Sequence, residues 1–294
     1  MQVENKTKWK ARTDLAVELT ENLSETEVED GISMEVNYSQ GGKIKETIIR
    51  IKNSHGEQSL GRSCGCYITI EGEDLSGFDE DYHKDLSQVL EKRLETMLKS
   101  YEHILVVGLG NQDVTSDSLG PAVVKNLYIT RHLKKEGLLD HGKTLSAISP
   151  GVMAQTGMET SEIIASLVKN IKPDVILAID ALAARNSHRL NKTVQIADTG
   201  IAPGSGVGNH RREITKKTMG VDVIGIGVPT VISVPTLIND ALSPYLEEGE
   251  EWDVSGSLHP ELAEMFVTPK NIDEAVKKIS YTISEALNQL AAET

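Results

Sequence analysis

The sequence predicts an α/β protein: a mostly parallel, mixed sheet with helices on both faces and a β-rich N-terminal extension. Three observations carry that prediction. Continuous apolar runs such as Ile104–Leu109 and Val175–Ile179 have the length of strands and end in Gly or Asp. Between them lie segments with apolar residues at helical spacing, and this alternation marks strands covered by helices on both faces. Upstream, β-branched stretches on either side of Gly41-Gly42 mark strands joined by a turn.

Taken in order, residues 1–13 carry Lys6, Lys8, Lys10 and Arg12 against Glu4 alone, and residues 14–30 carry seven acidic residues and no basic one. The expectation is a solvated tail followed by an acidic helix, to which Leu15, Val17, Leu19 and Leu23 give a partial apolar face. Ser33–Tyr38, Lys45–Ile51 and Cys66–Glu71 are strands. Asp85–Tyr101 is a helix, with Leu86, Val89, Leu90, Leu94 and Leu98 near helical spacing. The strand Ile104–Leu109 leads to a helix over Pro121–Leu133, then the strand Thr144–Ile148 and a helix over Glu159–Asn170. Val175–Ile179 is a strand ending at Asp180, and Val194–Ala197 and Val223–Ile226 are two more. The helix Ile272–Leu290 closes the chain, and acidic residues 247–253 form a surface excursion.

Composition narrows the function. At 294 residues with 39% hydrophobic content the chain can bury a core. Its 30 basic and 44 acidic residues leave a net charge of −14, which argues against a partner whose phosphates must be neutralised. Aromatic residues are only 4%, too few for a base-stacking platform. No apolar run approaches the ~20 residues of a membrane span. The polar stretch Met1–Arg12 lacks the apolar centre of a secretory signal. Cys64 and Cys66, one residue apart, read as reduced thiols on a strand. A cytoplasmic protein is expected.

In an open parallel sheet, chemistry collects beyond the carboxyl ends of the strands. The loop after the first of these strands runs from Gly108 to Gly120 and presents Asp113 and Asp117. A dinucleotide fingerprint needs glycine at 113, where a carboxylate repels pyrophosphate, and no P-loop lysine follows. Asp117 is either functional or the cap of the helix that Pro121 begins. Asp180 closes a buried apolar strand, where a charge is costly unless a site or a partner such as Arg185 compensates it. Asp198 ends the next strand, ahead of the glycine-rich stretch Pro203–Asn209. Its alternate glycines, Gly204 and Gly206 among them, suit a backbone that approaches something closely, as an open loop also does.

Two aspartates converging on one cleft suit hydrolysis without a covalent intermediate. Neighbouring carboxyls do not both ionise easily, so one keeps a proton. The ionised one then deprotonates water while the other protonates the leaving group. Backbone N–H groups of the Gly-rich loops are candidate donors to the oxyanion. The same carboxylates could instead bind a metal with a histidine, His188 and His210 being nearest in sequence, although no His-Glu-x-x-His motif exists.

Several blocks carry a family resemblance: residues 12–18 (Arg-Thr-Asp-Leu-Ala-Val-Glu), 106–111, 115–121, 149–153, 157–163, 178–183, 198–209, 225–231 and 267–270. Running in this order over nearly the whole chain, they resemble the germination proteases of spore-forming bacteria, which are related in fold to hydrogenase maturation proteases. Departures lie around Cys64–Cys66 and in a short segment around 247–265. The resemblance implies an aspartate-dependent endopeptidase whose essential residues fall on Asp117 and Asp180, with Asn111, Asp198, Gly204 and Gly206 in supporting roles. The hydrogenase-processing relatives add a histidine to sense nickel. No histidine stands in a matching loop here, so no metal and no cofactor are expected. A nickel-dependent peptidase and a non-enzymatic α/β binding protein are the alternatives.

The resemblance also implies an inactive precursor that removes its own N-terminus. Thr13–Glu18 looks like the acidic–apolar–Ala cleavage sequence of the family's substrates, which places self-cleavage between Asp14 and Leu15. Residues 1–14 are then a propeptide, and 15–294 a single peptidase domain with an N-terminal part (15–102) and a core (103–294). The substrates implied are small acid-soluble spore proteins, attacked during germination in the spore core after they leave DNA. A homotetramer with no direct contact to nucleic acid or membrane completes the expectation.

Overall fold

In the computed structural model, which describes residues 13–20, 31–72, 80–208, 211–245 and 258–292, nine strands share one mixed sheet. They are β1 (Ile32–Ser39), β2 (Ile44–Ile51), β3 (Gly65–Glu71), β4 (His103–Gly108), β5 (Thr144–Ile148), β6 (Val175–Ala184), β7 (Thr193–Ala197), β8 (Asp222–Ser233) and β9 (Phe266–Val267). Their order is β1-β2-β3-β7-β8-β6-β4-β5, with β9 paired to β8. β5, β4, β6 and β8 run parallel, and β7, β3, β2 and β1 continue the sheet antiparallel.

Period-two alternation along each strand sorts the apolar side chains into layers. Ile104 and Val106 of β4, Leu177 and Ile179 of β6, and Val194 and Ile196 of β7 face one side. There they meet the helices Glu80–Leu98, Leu119–Lys125 and Ile272–Ala292. Leu105, Val107, Ile176 and Ala178 face the other side, under the helix Thr160–Ile171. Over the antiparallel half that second face is covered by the N-terminal segment itself: Leu15, Ala16 and Val17 pack on Ile49, Tyr67, Leu182 and Ala197.

Three expectations change. The acidic helix is replaced, in its described part, by an extended run and a short 3-10 turn, Val17–Leu19. Leu15 is 0% exposed here, packed against the sheet. The rest of that expected helix, including Leu23, lies outside the described residues, as do acidic residues 247–253. The helix after β4 stops at Lys125, and a separate helix covers Arg131–Lys135. Between them the buried Thr130 hydroxyl donates to the Lys143 carbonyl and accepts the Leu145 N–H, tying the chain to β5.

The third change matters most for the site. β6 does not end at Ile179 and β8 does not end at Ile226; they pair onward through Ala184 and Ile232 across a bulge at Leu182 and Ala183. β4 stops at Gly108, level with Ile179. Asp180 is therefore a mid-strand residue, one step beyond the end of its neighbour. The chain leaves β4 toward β5 over one face and returns to β6 by Thr160–Ile171 over the other, so a crevice opens at this switch point.

Candidate active site

A cavity of about 240 Å³ occupies that crevice, and Asp14, Asp117, Asp180, Thr160, Thr230 and Arg211 are among its walls. The loop after β4 delivers Asp117. Gly110 makes the turn at φ +108°, and a side chain there would collide with the Asp117 carbonyl. The Asn111 N–H donates to Asp117 Oδ2 at 2.8 Å, and the Thr230 hydroxyl donates to the Ser116 carbonyl at 2.7 Å. Asp117 does not cap the following helix, which has no side-chain cap on its first turn. Its carboxyl is pushed above the usual carboxylate range by burial, against the opposing pull of the Asn111 N–H and Arg211.

Asp180 is 3% exposed and accepts the Ala181 N–H at 3.0 Å. Its carboxyl lies well above the ordinary range, first because burial strips its water and then because the Asp117 and Asp14 charges face it. The cation that opposes this shift is Arg211. Arg185, the alternative partner that the sequence offered, donates from its guanidinium to the Glu18 carbonyl.

Across the cavity from Asp117 runs the segment 13–20. The Asp14 N–H donates to the Ala183 carbonyl at 3.1 Å, and the Ala183 N–H donates to Asp14 Oδ2 at 3.0 Å. The Ser205 hydroxyl donates to Asp14 Oδ1. Gln195 brackets the next bonds, accepting the Ala16 N–H at 2.6 Å and donating to the Asp14 carbonyl at 3.0 Å. The Arg62 guanidinium donates to the Thr13 carbonyl at 2.8 Å. Glu18, 1% exposed, accepts the N–H groups of Arg185 (2.7 Å) and Asn186 (2.9 Å) and the Thr13 hydroxyl. Arg189 stands 3.5 Å from it, and burial raises its carboxyl despite these donors.

The remaining candidates divide. Gly204, at φ +72°, lines the cavity and opens the turn Ser205–Val207. Gly206 packs so closely that an added Cβ would overlap Asp14 Oδ2. Asn111 serves through its backbone, while its side chain accepts from Asp113 and Gln155. Asp113 is exposed and turned to Gln155, outside the cavity wall. Asp198 is also outside: it accepts the Cys66 N–H at 2.7 Å and fastens β7 to the start of β3. Cys66 lies on β3 and Cys64 just before it, both free. Among the described residues, no three His, Cys, Asp or Glu side chains converge as a metal site, and no helix is long and apolar enough to cross a membrane.

The family model described as germination protease matches residues 10–255. The chain belongs to the germination protease family. It is 41% identical over 303 residues to the germination protease of Clostridium tetani, an alignment that covers 94% of each chain. It is likewise 41% identical to that of Caldanaerobacter subterraneus, over 94% of this chain and 93% of the relative. Among solved structures, a NiFe hydrogenase maturation protease from Thermococcus kodakarensis aligns over 66% of this chain and 98% of its own, at 19% identity and a TM-score of 0.36.

As a member of the germination protease family the chain is a peptidase, and the cavity holding Asp117 and Asp180 is its candidate active site. Sequence reasoning missed Gln195, Ser205 and Arg211. Gln195 left one faint signal, a polar residue alternating with Val194 and Ile196, but that pattern also describes any half-solvated strand. Arg211 sits beside Arg212 after the glycine-rich loop, and nothing local separates the two.

Proposed function

We propose that this protein is a self-processing endopeptidase that begins the degradation of small acid-soluble spore proteins during germination. The observation that carries the reading is that Asp117 and Asp180 line one cavity whose wall includes Asp14, the residue before the proposed cut. Asp180, buried and faced by two carboxylates, holds a proton and serves as the acid. Asp117, more open to solvent and supported by the Asn111 N–H and Arg211, serves as the base that activates water.

Residues 1–14 act as a propeptide, cut between Asp14 and Leu15, and until then the docked segment fills the groove that substrate needs. An extended, disordered spore protein with an acidic–apolar–Ala sequence would take the place of residues 14–16, its acidic residue accepting the Ala183 N–H and its backbone N–H donating to the Ala183 carbonyl as Asp14 does. The working form is a homotetramer in the spore core, acting on protein released from DNA, since the net charge of −14 disfavours the duplex itself.

The test is intact mass of the full chain after incubation at mildly acidic pH, with Asp117→Asn and Asp180→Asn alongside. Loss of residues 1–14 from the parent and from neither variant is expected. Processing by either variant at the parent's rate would remove the aspartate pair from the reaction.

A further inference from the structure

We propose that Gln195 is a catalytic residue of this reaction, its side-chain amide holding the oxyanion that forms on the Asp14 carbonyl. The inference rests on the reading of Asp14–Leu15 as the bond cut.

Strand register brings Gln195 to the site. Val194 and Ile196 point into the helix-covered core, so Gln195, between them, points to the opposite face. Ile179 likewise points into that core, which puts Asp180 on the same face as Gln195. Gln195 pairs with Gly227 of β8, and Gly227 pairs with Asp180 of β6. The two functional side chains thus stand two strands apart, roughly 10 Å between Cα atoms, with a glycine between them. The Leu182 side chain lies over Gly227, and residues 14–16 pack with it, bonded to Ala183 on the Asp180 side and to Gln195 on the other.

Gln195 is 9% exposed and already donates to the Asp14 carbonyl oxygen while its own oxygen accepts the Ala16 N–H. The second bond fixes the amide so that its N–H faces the scissile carbonyl. A fixed donor of this kind strengthens as negative charge develops on that oxygen. In the step, the water oxygen bonds to the Asp14 carbonyl carbon while Asp117 takes the water proton. The C=O electron pair moves onto the oxygen beside the Gln195 N–H. Collapse restores the carbonyl and breaks the bond to the Leu15 nitrogen, which takes the Asp180 proton. The proton on Asp117 returns to Asp180 through solvent, leaving a carboxyl on residue 14 and an amine on Leu15.

The experiment compares the full chain with Gln195→Glu and Gln195→Met, each checked for folding by circular dichroism. Two quantities are read: the first-order rate of loss of residues 1–14 by intact mass, and amide exchange at Ala16. Gln195→Glu keeps an acceptor for the Ala16 N–H but turns an oxygen on the scissile carbonyl. It is expected to keep Ala16 protected and to slow processing by roughly 10²–10³-fold. Gln195→Met fills the same space with neither group, and is expected to slow processing as much or more. Should a folded variant process within about threefold of the parent, the assignment fails. It also fails if slowing in both variants merely follows loss of Ala16 protection, which would leave Gln195 a docking residue. Asp180→Asn separates the two readings: if it still processes, the aspartate mechanism fails whatever Gln195 does. If the parent makes no cut at Asp14–Leu15, both fall.

Discussion

Asp14 and Ala183, 169 positions apart, exchange two hydrogen bonds, one between backbones and one from the Ala183 N–H to the Asp14 carboxylate, and these hold the N-terminal segment against β6. Replacing Asp14 by Ala leaves the Ala183 N–H and the Ser205 hydroxyl without that acceptor. An unsatisfied buried donor costs about 1–3 kcal/mol. Asp14→Ala is expected to loosen the segment, seen as faster amide exchange at Ala183 and slower self-processing. Unchanged exchange at Ala183 would show that other contacts dominate the docking.

Gly206 should tolerate no side chain while the segment is docked, because a Cβ there meets both Asp14 Oδ2 and Ala183 Cβ. It is buried in the glycine-rich turn but lies outside the main core clusters. Gly206→Ala is therefore expected to block processing and expose residues 13–20 to added protease, with little change in far-ultraviolet circular dichroism. Wild-type processing by this variant would show that the turn can shift.

Glu18 anchors the far end of the segment. Removing its carboxylate strands the Arg185 and Asn186 N–H groups, each at the same scale of about 1–3 kcal/mol. Glu18→Ala should lower the thermal midpoint and weaken docking more than Glu18→Gln, which keeps one acceptor. In trans, a peptide with Glu at the fourth position after the cut should be cleaved better than its Ala counterpart, chiefly through KM. Equal kcat/KM for the two peptides would argue against a carboxylate subsite here.

The pH response follows from Asp180. Its folded pKa lies well above its unfolded value of about 3.9, so the folded state binds a proton that the unfolded state has lost. By linkage, stability falls as pH rises from the unfolded value through the folded one, and levels off above it. Asp180→Asn mimics the protonated form and should flatten that part of a melting-temperature profile. At neutral pH the variant should be at least as stable as the parent while it fails to process. The parent's processing should quicken as pH drops below neutral, until Asp117 also protonates. A melting profile of Asp180→Asn that keeps the parent's slope would assign the titration to another group.

The two candidate carboxylates differ in how far local sequence marked them. Asp180 stood out because a carboxylate at the end of the buried apolar strand Val175–Ile179 is costly unless a site or a partner such as Arg185 compensates it. Asp117 stood out less, since an aspartate before Pro121 also suits a cap, and only the Asn111 bond decides against that role. Asp198 looked equivalent to Asp180, a carboxylate at a strand end, yet it faces Cys66. Local sequence does not record which strand ends share a crevice. The acidic stretch 14–30 suggested a solvated helix because its apolar residues fall near helical spacing. Leu15, Ala16 and Val17 all bury against the same face of the sheet, and burial there outweighs weak helix propensity.

Sequence by itself determined the layered α/β class and the family, and pointed to the two carboxylates, because apolar periodicity and short motifs in a fixed order are local properties of the chain. Tertiary structure decided that β6 outruns β4, that Asp14 is bonded to Gln195, and that Arg211 is a cation facing Asp180. Those relations depend on strand order and register, which bring together residues distant in the chain, 181 positions apart for Asp14 and Gln195, in a way that no short stretch of sequence encodes.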